Sequence, residues 1–545
     1  MAALLAAARA MAQPVLPPSA DPGAIQQRQI EEERRRREAE RERYKPSEPI
    51  RRDALERPAV EPAPDAVRFL VREIRFTPSE ILTPAELDAI AAEFRGKELT
   101  LADLRRLTER INALYKAKGV VTATAVIPPQ DVSAGIVHIR LIEGRVGRVN
   151  IEGNATTRTV YIADRLRLEP NDLVDLGRLE KNLRRFNRTN DVQLRAGLKP
   201  GEAFGTTDIE ITASEPPRHE LRLTLDNAGN PSTGEWRKGV SYLNRSVLGY
   251  RDDFSLSLTR ADGQDSRAIA YGFPINTWGG RLNLAYYQDK IAIKHGALES
   301  LNITGASRAS VLSLRQPVWV EEHYQLDVLG GGKKRRSTNW IDGVFLQRTD
   351  TDDLNLGVEM QVFDAKSLGS ASFTRHAGKA AIADDRRDHV IDRGVLRYNR
   401  ELGNGLSFRG NLAWQATREK NLPSSELFSI GGEGSVRAYS PGTFAGDRGY
   451  AVNLELHHPL LKTAWDSREF AATGFFFADR GIVKPFRPPN STLPSSERLN
   501  SAGWGIHASL GRHVYSRITF AWGSREVPQS PRHRGVHFLL VASLF

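Results

Sequence analysis

Residues 354–363 read LNLGVEMQVF, and their alternation decides the architecture of the larger part of the chain. Leu354, Leu356, Val358, Met360 and Val362 fall on one side of an extended strand, and Asn355, Gly357, Glu359 and Gln361 on the other. The cause is the two-residue period of a β-strand, whose side chains point to opposite faces in turn. The same grammar spreads in both directions. HELRLTLDN sets Leu221, Leu223 and Leu225 against Arg222, Thr224 and Asp226, and DDFSLSLTR sets Phe254, Leu256 and Leu258 against Ser255, Ser257 and Thr259. LSFRGNLAWQ and YAVNLELH continue it toward the C-terminus. A soluble sandwich also alternates, but its strands usually run about five or six residues. These runs approach the roughly 9–11 residues of a tilted membrane strand. Short turns and longer loops join them alternately, the asymmetry of outer-membrane barrels, and about 16 runs give the even number such barrels require. The last run, VHFLLVASLF, closes on Phe545. The expectation for residues 218–545 is a 16-stranded antiparallel transmembrane β-barrel.

The rest of the chain is built differently. At 545 residues it has room for several domains. Lys+Arg 77 against Asp+Glu 66 gives net +11, but both signs are interspersed and the signatures of nucleic-acid readers are absent, so no nucleic-acid partner is expected. With 0 cysteines, disulfides, thiolate metal sites and a cysteine nucleophile are excluded. No stretch approaches the roughly 20 apolar residues of a spanning helix. The opening MAALLAAARAMAQP is apolar and small-residue rich, and Ala10-Met11-Ala12 resembles a cleavage site. Residues 1–12 therefore read as a secretory signal whose start lacks a basic n-region, as if truncated.

Residues 21–45 read as an N-terminal helix. Within IEEERRRREAERER, Glu31/Arg35, Glu32/Arg36 and Glu33/Arg37 are i,i+4 pairs in the favourable order. A helix polar all round does not fold by burying a stripe; it suits a solvated spacer or the inside of a water-filled channel. Residues 46–67, rich in proline, read as a linker.

Residues 68–146 and 147–215 read as two tandem β-α-α-β-β units. In the first, FLVREIRF (69–76) alternates as one strand, TPAELDAIAAEF (83–94) and TLADLRRLTERINALY (100–115) have helical spacing, and two strands follow at 122–129 and 135–144. Thr100 with Asp103 marks the second helix's start, and Gly119 its end. In the second unit, RVNIEGN, TVYIADRL, LGRLEKNLRRFN, DVQLRAGL and TDIEITAS repeat the order.

The chemistry of catalysis is absent. LGGGKKRRST (329–338) fails the G-x-x-x-x-G-K-[ST] spacing and is followed by no helix. It reads as a loop at the outer end of the barrel, solvated or facing lipopolysaccharide phosphates. The twelve histidines show no ligand spacing. No catalytic residue, metal ligand or cofactor is expected, and the chain does not read as an enzyme.

Several motifs carry a resemblance. Gly119, Ile127-Pro128-Pro129-Gln130, Gly135, Glu143-Gly144 and Gly153-Asn154 punctuate the tandem units; Tyr242-Leu243-Asn244-Arg245 and Leu248-Gly249 follow in the early barrel. A long connection runs from Ile430-Gly431-Gly432 through Ser435-Val436-Arg437-Ala438-Tyr439 to Gly446-Asp447-Arg448-Gly449, and Phe477-Ala478-Asp479-Arg480-Gly481 lies in the next upward strand. With these the chain resembles, over nearly its whole length, the two-partner secretion transporters, or TpsB class, of the hemolysin and filamentous hemagglutinin secretion-activation family. In such proteins two periplasmic POTRA domains precede a 16-stranded barrel.

The resemblance implies that the arginine loop folds back into the barrel and that Arg437 meets Asp479 of the F-x-D-x-G motif, with Val436, Ala438 and Tyr439 at the loop tip and Phe477 and Gly481 on the strand. The alternation agrees. Phe475, Phe477 and Asp479 share a face, and a charge facing lipid costs a few kcal/mol at the bilayer midplane, so that face reads as the lumen. Arginine offers a planar fork suited to a confined carboxylate. The family's motif has glycine where this chain has Ala438; if the site needs φ > 0, alanine costs about 1–2 kcal/mol. The resemblance further implies a pore-plugging helix at 21–45, a large secreted exoprotein such as a hemagglutinin, adhesin or hemolysin received by the POTRA domains, and an outer-membrane location among lipid and lipopolysaccharide. It leaves a homodimer open. The alternative is a barrel-assembly factor that inserts other proteins; a passive porin would need no POTRA domains.

Overall fold

Strands that bury one face and expose the other lose their unpaired edges only by closing on themselves. The computed structural model of the protein shows that closure. It describes residues 16–18, 20–42, 50–51, 67–120, 122–382, 385–465, 468–528, 530 and 534–545. The secretory signal expected at 1–12, nearly all of the linker at 46–67 and the end of the expected helix at 43–45 lie outside those residues. The chain divides into two compact units, Lys45–Pro216 and the remainder.

The remainder is the barrel. Its strands are β1 His219–Asp226, β2 Arg237–Asn244, β3 Asp253–Ala261, β4 Gln264–Pro274, β5 Arg281–Ala292, β6 Ile303–Val320, β7 Tyr324–Ile341 and β8 Val344–Phe363. They continue as β9 Ser367–Ile382, β10 Asp385–Gly403, β11 Leu406–Thr417, β12 Arg448–Trp465, β13 Arg468–Lys484, β14 Glu497–Leu510, β15 Val514–Gly523 and β16 Arg534–Ser543. Each pairs antiparallel with its neighbours, and β1 pairs with β16 in the register Arg222↔Ser543 to Asp226↔Leu539. The alternation read from 354–363 holds: Leu354, Leu356, Val358, Met360 and Val362 are exposed, whereas Asp353 and Glu359 are buried on the lumen side.

LGGGKKRRST is not a loop. Residues 329–338 lie inside β7 and pair residue for residue with β6 and β8. A glycine run does not stop a strand held on both sides, and a Cβ at Gly331 would come within 2.5 Å of the Leu312 carbonyl. The basic residues split by face: Lys333 and Arg335 turn inward, while Lys334 and Arg336 turn outward.

The N-terminal helix, α1, spans Pro22–Glu42 inside the barrel unit. Its anchor is not the charged run but the preceding stretch: Ala20, Asp21, Ala24, Ile25 and Gln26 are all buried.

The unit Lys45–Pro216 holds two separate small cores. Helices α2 (Pro84–Ala92) and α3 (Leu101–Ala117) each start with a capping box, Thr83 with Glu86 and Thr100 with Asp103, which satisfies two otherwise orphaned N–H groups reciprocally. Gly119 follows α3 at φ +80°. Helices α4 (Thr159–Leu166) and α5 (Leu176–Thr189) line the second core around Ile162, Leu183 and Phe186. One expectation is corrected: 69–76 is two strands, not one. Phe69–Val71 pairs antiparallel with Lys97–Leu99, whereas Glu73–Phe76 pairs in parallel with Ile136–Ile142. The buried face changes phase at the break, from Val71 to Ile74, and the adjacent polar pair Arg72-Glu73 is the mark it leaves on the sequence. In the second sheet, residues Ile50–Arg51 add in parallel to the edge of Gln193–Pro200, opposite Ala196 and Gly197.

Candidate functional site

The connection between β11 and β12, residues 418–447, is too long for a hairpin and folds onto the inner wall of the barrel. Within it Phe428–Ile430 and Phe444–Gly446 form a two-stranded stem. Gly431 at φ +106° and Gly432 at φ +91° turn the chain toward its tip, and Gly432 donates to the Tyr439 carbonyl at 2.8 Å to close that tip.

Arg437 stands at the tip and is 3% exposed. Its Nε donates to Asp479 Oδ2 at 2.9 Å and its Nη2 to Asp479 Oδ1 at 2.6 Å, a two-pronged grip on one carboxylate. Its backbone N–H also reaches Asp479 Oδ2 at 3.1 Å, and its Nη1 donates to Glu455 Oε1. The guanidinium lies 3.7 Å from the centre of the Phe477 ring, within cation–π reach. Asp479 accepts two further bonds, from Ser501 Oγ and Asn453 Nδ2, both at 2.8 Å. A buried carboxylate and a half-buried one against one guanidinium are tolerable only when such neighbours fill the remaining lone pairs.

Around this pair the tip is apolar. Val436, Ala438 and Tyr439 are buried with Phe475 and Phe477 in one cluster. The Tyr439 hydroxyl donates to the Arg525 carbonyl at 2.8 Å. Gly481 has a plain reason to be glycine: a Cβ there would come within 2.9 Å of Ile430 and 3.0 Å of Val436. Phe476, on the opposite face of β13, is 70% exposed, so the alternation puts Asp479 in the lumen. Ala438 does not take positive φ; in this connection only Asn421, Gly431, Gly432 and Gly442 do. Alanine therefore carries no left-handed strain there.

A second charged cluster escaped the sequence reading. Glu426, at the foot of the same connection and 1% exposed, accepts from Lys333 at 2.7 Å, Arg335 at 3.3 Å and Arg393 at 3.1 Å. Arg335 also reaches α1, with Nη2 on Gln27 Oε1 at 2.6 Å and Nε on Gln26 Oε1 at 3.2 Å. The Gln26 side-chain amide donates onward to Asp289 Oδ2 at 2.6 Å. Farther along, Glu32 pairs with Arg237 at 3.1 Å and Arg35 donates to the Gly434 carbonyl. At the tip, Glu433 pairs with Arg517. The helix and the folded-back loop thus occupy the lumen together, the helix held chiefly by polar groups and the loop by both an apolar cluster and buried ion pairs.

Some of this was readable. Asn453 and Glu455 stand on the polar face of YAVNLELH, in register with Asp479 and Phe477, and could have been named from alternation alone. Glu426 and Gln26 could not, because neither lies in a periodic segment. No group of three or more His, Cys, Asp or Glu able to hold a metal exists among the described residues.

Comparisons with known proteins agree with this architecture. Residues 205–508 match the family described as haemolysin secretion/activation protein ShlB/FhaC/HecB, and residues 69–144 match the POTRA domain, ShlB-type. The outer membrane transporter CdiB of Dickeya dadantii (strain 3937) is 24% identical over 478 residues, covering 83% of this chain and 82% of that protein. The heme/hemopexin transporter protein HuxB of Haemophilus influenzae is 23% identical over 454 residues, 79% of each chain. The solved structure of CdiB from Escherichia coli aligns with a TM-score of 0.67 at 21% identity, covering 98% of this chain and 100% of that one. The first of these family matches spans more than half of the chain, and with the closed barrel and its loop on the lumen wall it leads to one conclusion: the chain belongs to the haemolysin secretion/activation protein ShlB/FhaC/HecB family.

Proposed function

We propose that this outer-membrane two-partner secretion transporter conducts a large unfolded exoprotein through the lumen of its own barrel once α1, and then the loop at 418–447, have moved aside. The observation that carries this is the contrast between wall and filling. The wall is a closed ladder of backbone hydrogen bonds. The helix within it is held largely by side-chain hydrogen bonds and ion pairs that water can replace. Among the described side chains of α1 and the turn before it, the buried apolar ones are the small set Ala20, Pro22, Ala24 and Ile25, so withdrawing this stretch gives up little apolar burial at about 25 cal/mol per Å². The loop tip buries Val436, Tyr439 and the face of Phe477 as well, which supports the helix leaving first. On this reading Arg437 and Asp479 set the closed position of the loop and are remade when transport ends.

The POTRA domains receive the exoprotein in the periplasm. An extended segment can dock by adding a strand to an exposed sheet edge, and the edge at Ala196 and Gly197 already accepts Ile50–Arg51 in that manner. The energy of export comes from folding of the exoprotein outside. The test is co-expression with a candidate large exoprotein, in cells lacking any other transporter of this family. Exoprotein should reach the medium with the full chain and stay in the periplasm without it; equal release in both strains would refute the proposal.

A further inference from the structure

The outward face of the barrel carries a feature that conduction does not use. Along β8 the lipid-facing side chains run from Val362 through Leu354 and then change, toward the end that bears the long loop, to Asp352, Asp350 and Arg348. Neighbouring strands change at the same height. On β7, Lys334 stands opposite Asp352 and Arg336 opposite Asp350; on β6, Arg308 stands opposite Arg336, with Leu312 below it on the same face.

Carboxylates are outnumbered in this row. Asp350 serves both Arg336 and Arg348, each at 2.8 Å. Farther round, Asp265 serves both Arg260 at 3.0 Å and Arg267 at 2.8 Å. Arg308 has no carboxylate partner among the described residues, and it faces Arg336 directly across the strand pair. Like charges directly opposite one another destabilise a sheet. An anion between the two guanidinium groups would remove that repulsion, and phosphate fits the arginine fork in a two-pronged manner. An amphiphile is required, because exposed Leu312, Leu354 and Leu356 begin immediately below the cations.

We propose that Arg308 and Arg336 hold a phosphate of lipopolysaccharide, the phosphorylated glycolipid of the outer leaflet, with its acyl chains along the leucines beneath. The long-loop end of the barrel lies away from both chain ends of the barrel domain and so faces the outer leaflet, which favours this lipid over an inner-leaflet phospholipid. The inference rests on the outer-membrane reading above but not on conduction, so it can fail alone.

The experiment uses the full chain in detergent with excess chelator, so that a bridging cation cannot substitute for arginine. Lipid binding is read by native mass spectrometry with lipopolysaccharide, the same lipid after enzymatic dephosphorylation, and phosphatidylglycerol. Arg308→Gln with Arg336→Gln should weaken binding of lipopolysaccharide by at least about fivefold, since charge-assisted bonds are lost, and dephosphorylation should do the same. Lys462→Gln, near the opposite end of the wall, should change nothing. A smaller loss in the double variant, equal binding of the dephosphorylated lipid, or phosphatidylglycerol bound as tightly as lipopolysaccharide would each overturn the proposal. Retention of a heat-modifiable compact barrel on gels verifies folding, and Arg308→Gln alone serves if the double variant does not fold.

Discussion

Val436 rests directly on the backbone of Gly481. A Cβ on that glycine would stand 3.0 Å from Val436 Cγ2 and 2.9 Å from Ile430 Cγ2, and both side chains are fully buried. The loop tip therefore fits the strand through the absence of a methyl group, two residues beyond the aspartate that Arg437 grips.

Gly481→Ala should unseat the tip without opening the barrel. Overpacking a tight site costs about 1–3 kcal/mol, and here the cost falls on the contact between loop and wall. The expected result is faster protease cleavage within 418–447 and a larger ion conductance in planar bilayers, with unchanged heat-modifiability of the barrel on gels. Wild-type cleavage rates would show that the loop absorbs the methyl group.

Arg437→Ala should do more, because it leaves buried Asp479 and half-buried Glu455 without their cation. Breaking a buried pair by removing one partner costs about 3–5 kcal/mol. Secretion should fall close to zero while barrel abundance in the membrane stays normal. The charge swap Arg437→Glu with Asp479→Arg should recover little, since the new glutamate would face Glu455, which bonds Arg437 in the native chain. Recovery beyond about half of native secretion would place Glu455 outside the interaction.

Removing residues 22–42 should raise single-channel conductance, because α1 shares the lumen with the loop. Gln26→Leu should raise the frequency of opening without a deletion. It removes the amide that bonds Asp289 and Ser307 and accepts from Arg335, leaving buried polar groups unpaired at about 1–3 kcal/mol each. Channel traces indistinguishable from wild type in both variants would count against the plug.

The periplasmic unit should show an acid limit traceable to one cap. The Lys118 ammonium, followed by the backbone N–H and the hydroxyl of Thr83, holds Glu86 down at about 2. A depressed carboxylate contributes stability above its unfolded value near 4.3 and loses that contribution as pH falls toward its folded value. The thermal midpoint of a fragment covering Lys45–Pro216 should therefore drop between about pH 4.3 and pH 2. Glu86→Gln should flatten part of that slope; an unaltered slope would assign the limit to other carboxylates.

The sequence by itself determined the barrel, because a two-residue period needs only local information. Leu354 to Val362 had to face one way and Asp353 to Gln361 the other, and the same rule put Asp479 and Phe477 inside. The capped helices at Thr83 and Thr100 were equally local, since each cap closes within three residues. The partnership of Arg437 with Asp479 was legible only through resemblance, for no local rule connects a loop arginine with a strand 42 residues away. Only the tertiary structure decided that Ala438 sits without backbone strain and that 329–338 is strand rather than loop. It alone brought Glu426 to Lys333, Arg335 and Arg393, and Arg335 to Gln26 and Gln27. The physical reason is that periodicity fixes which face a side chain takes. What it meets across a lumen depends on the closure of sixteen strands and on where a long, aperiodic loop comes to rest against them.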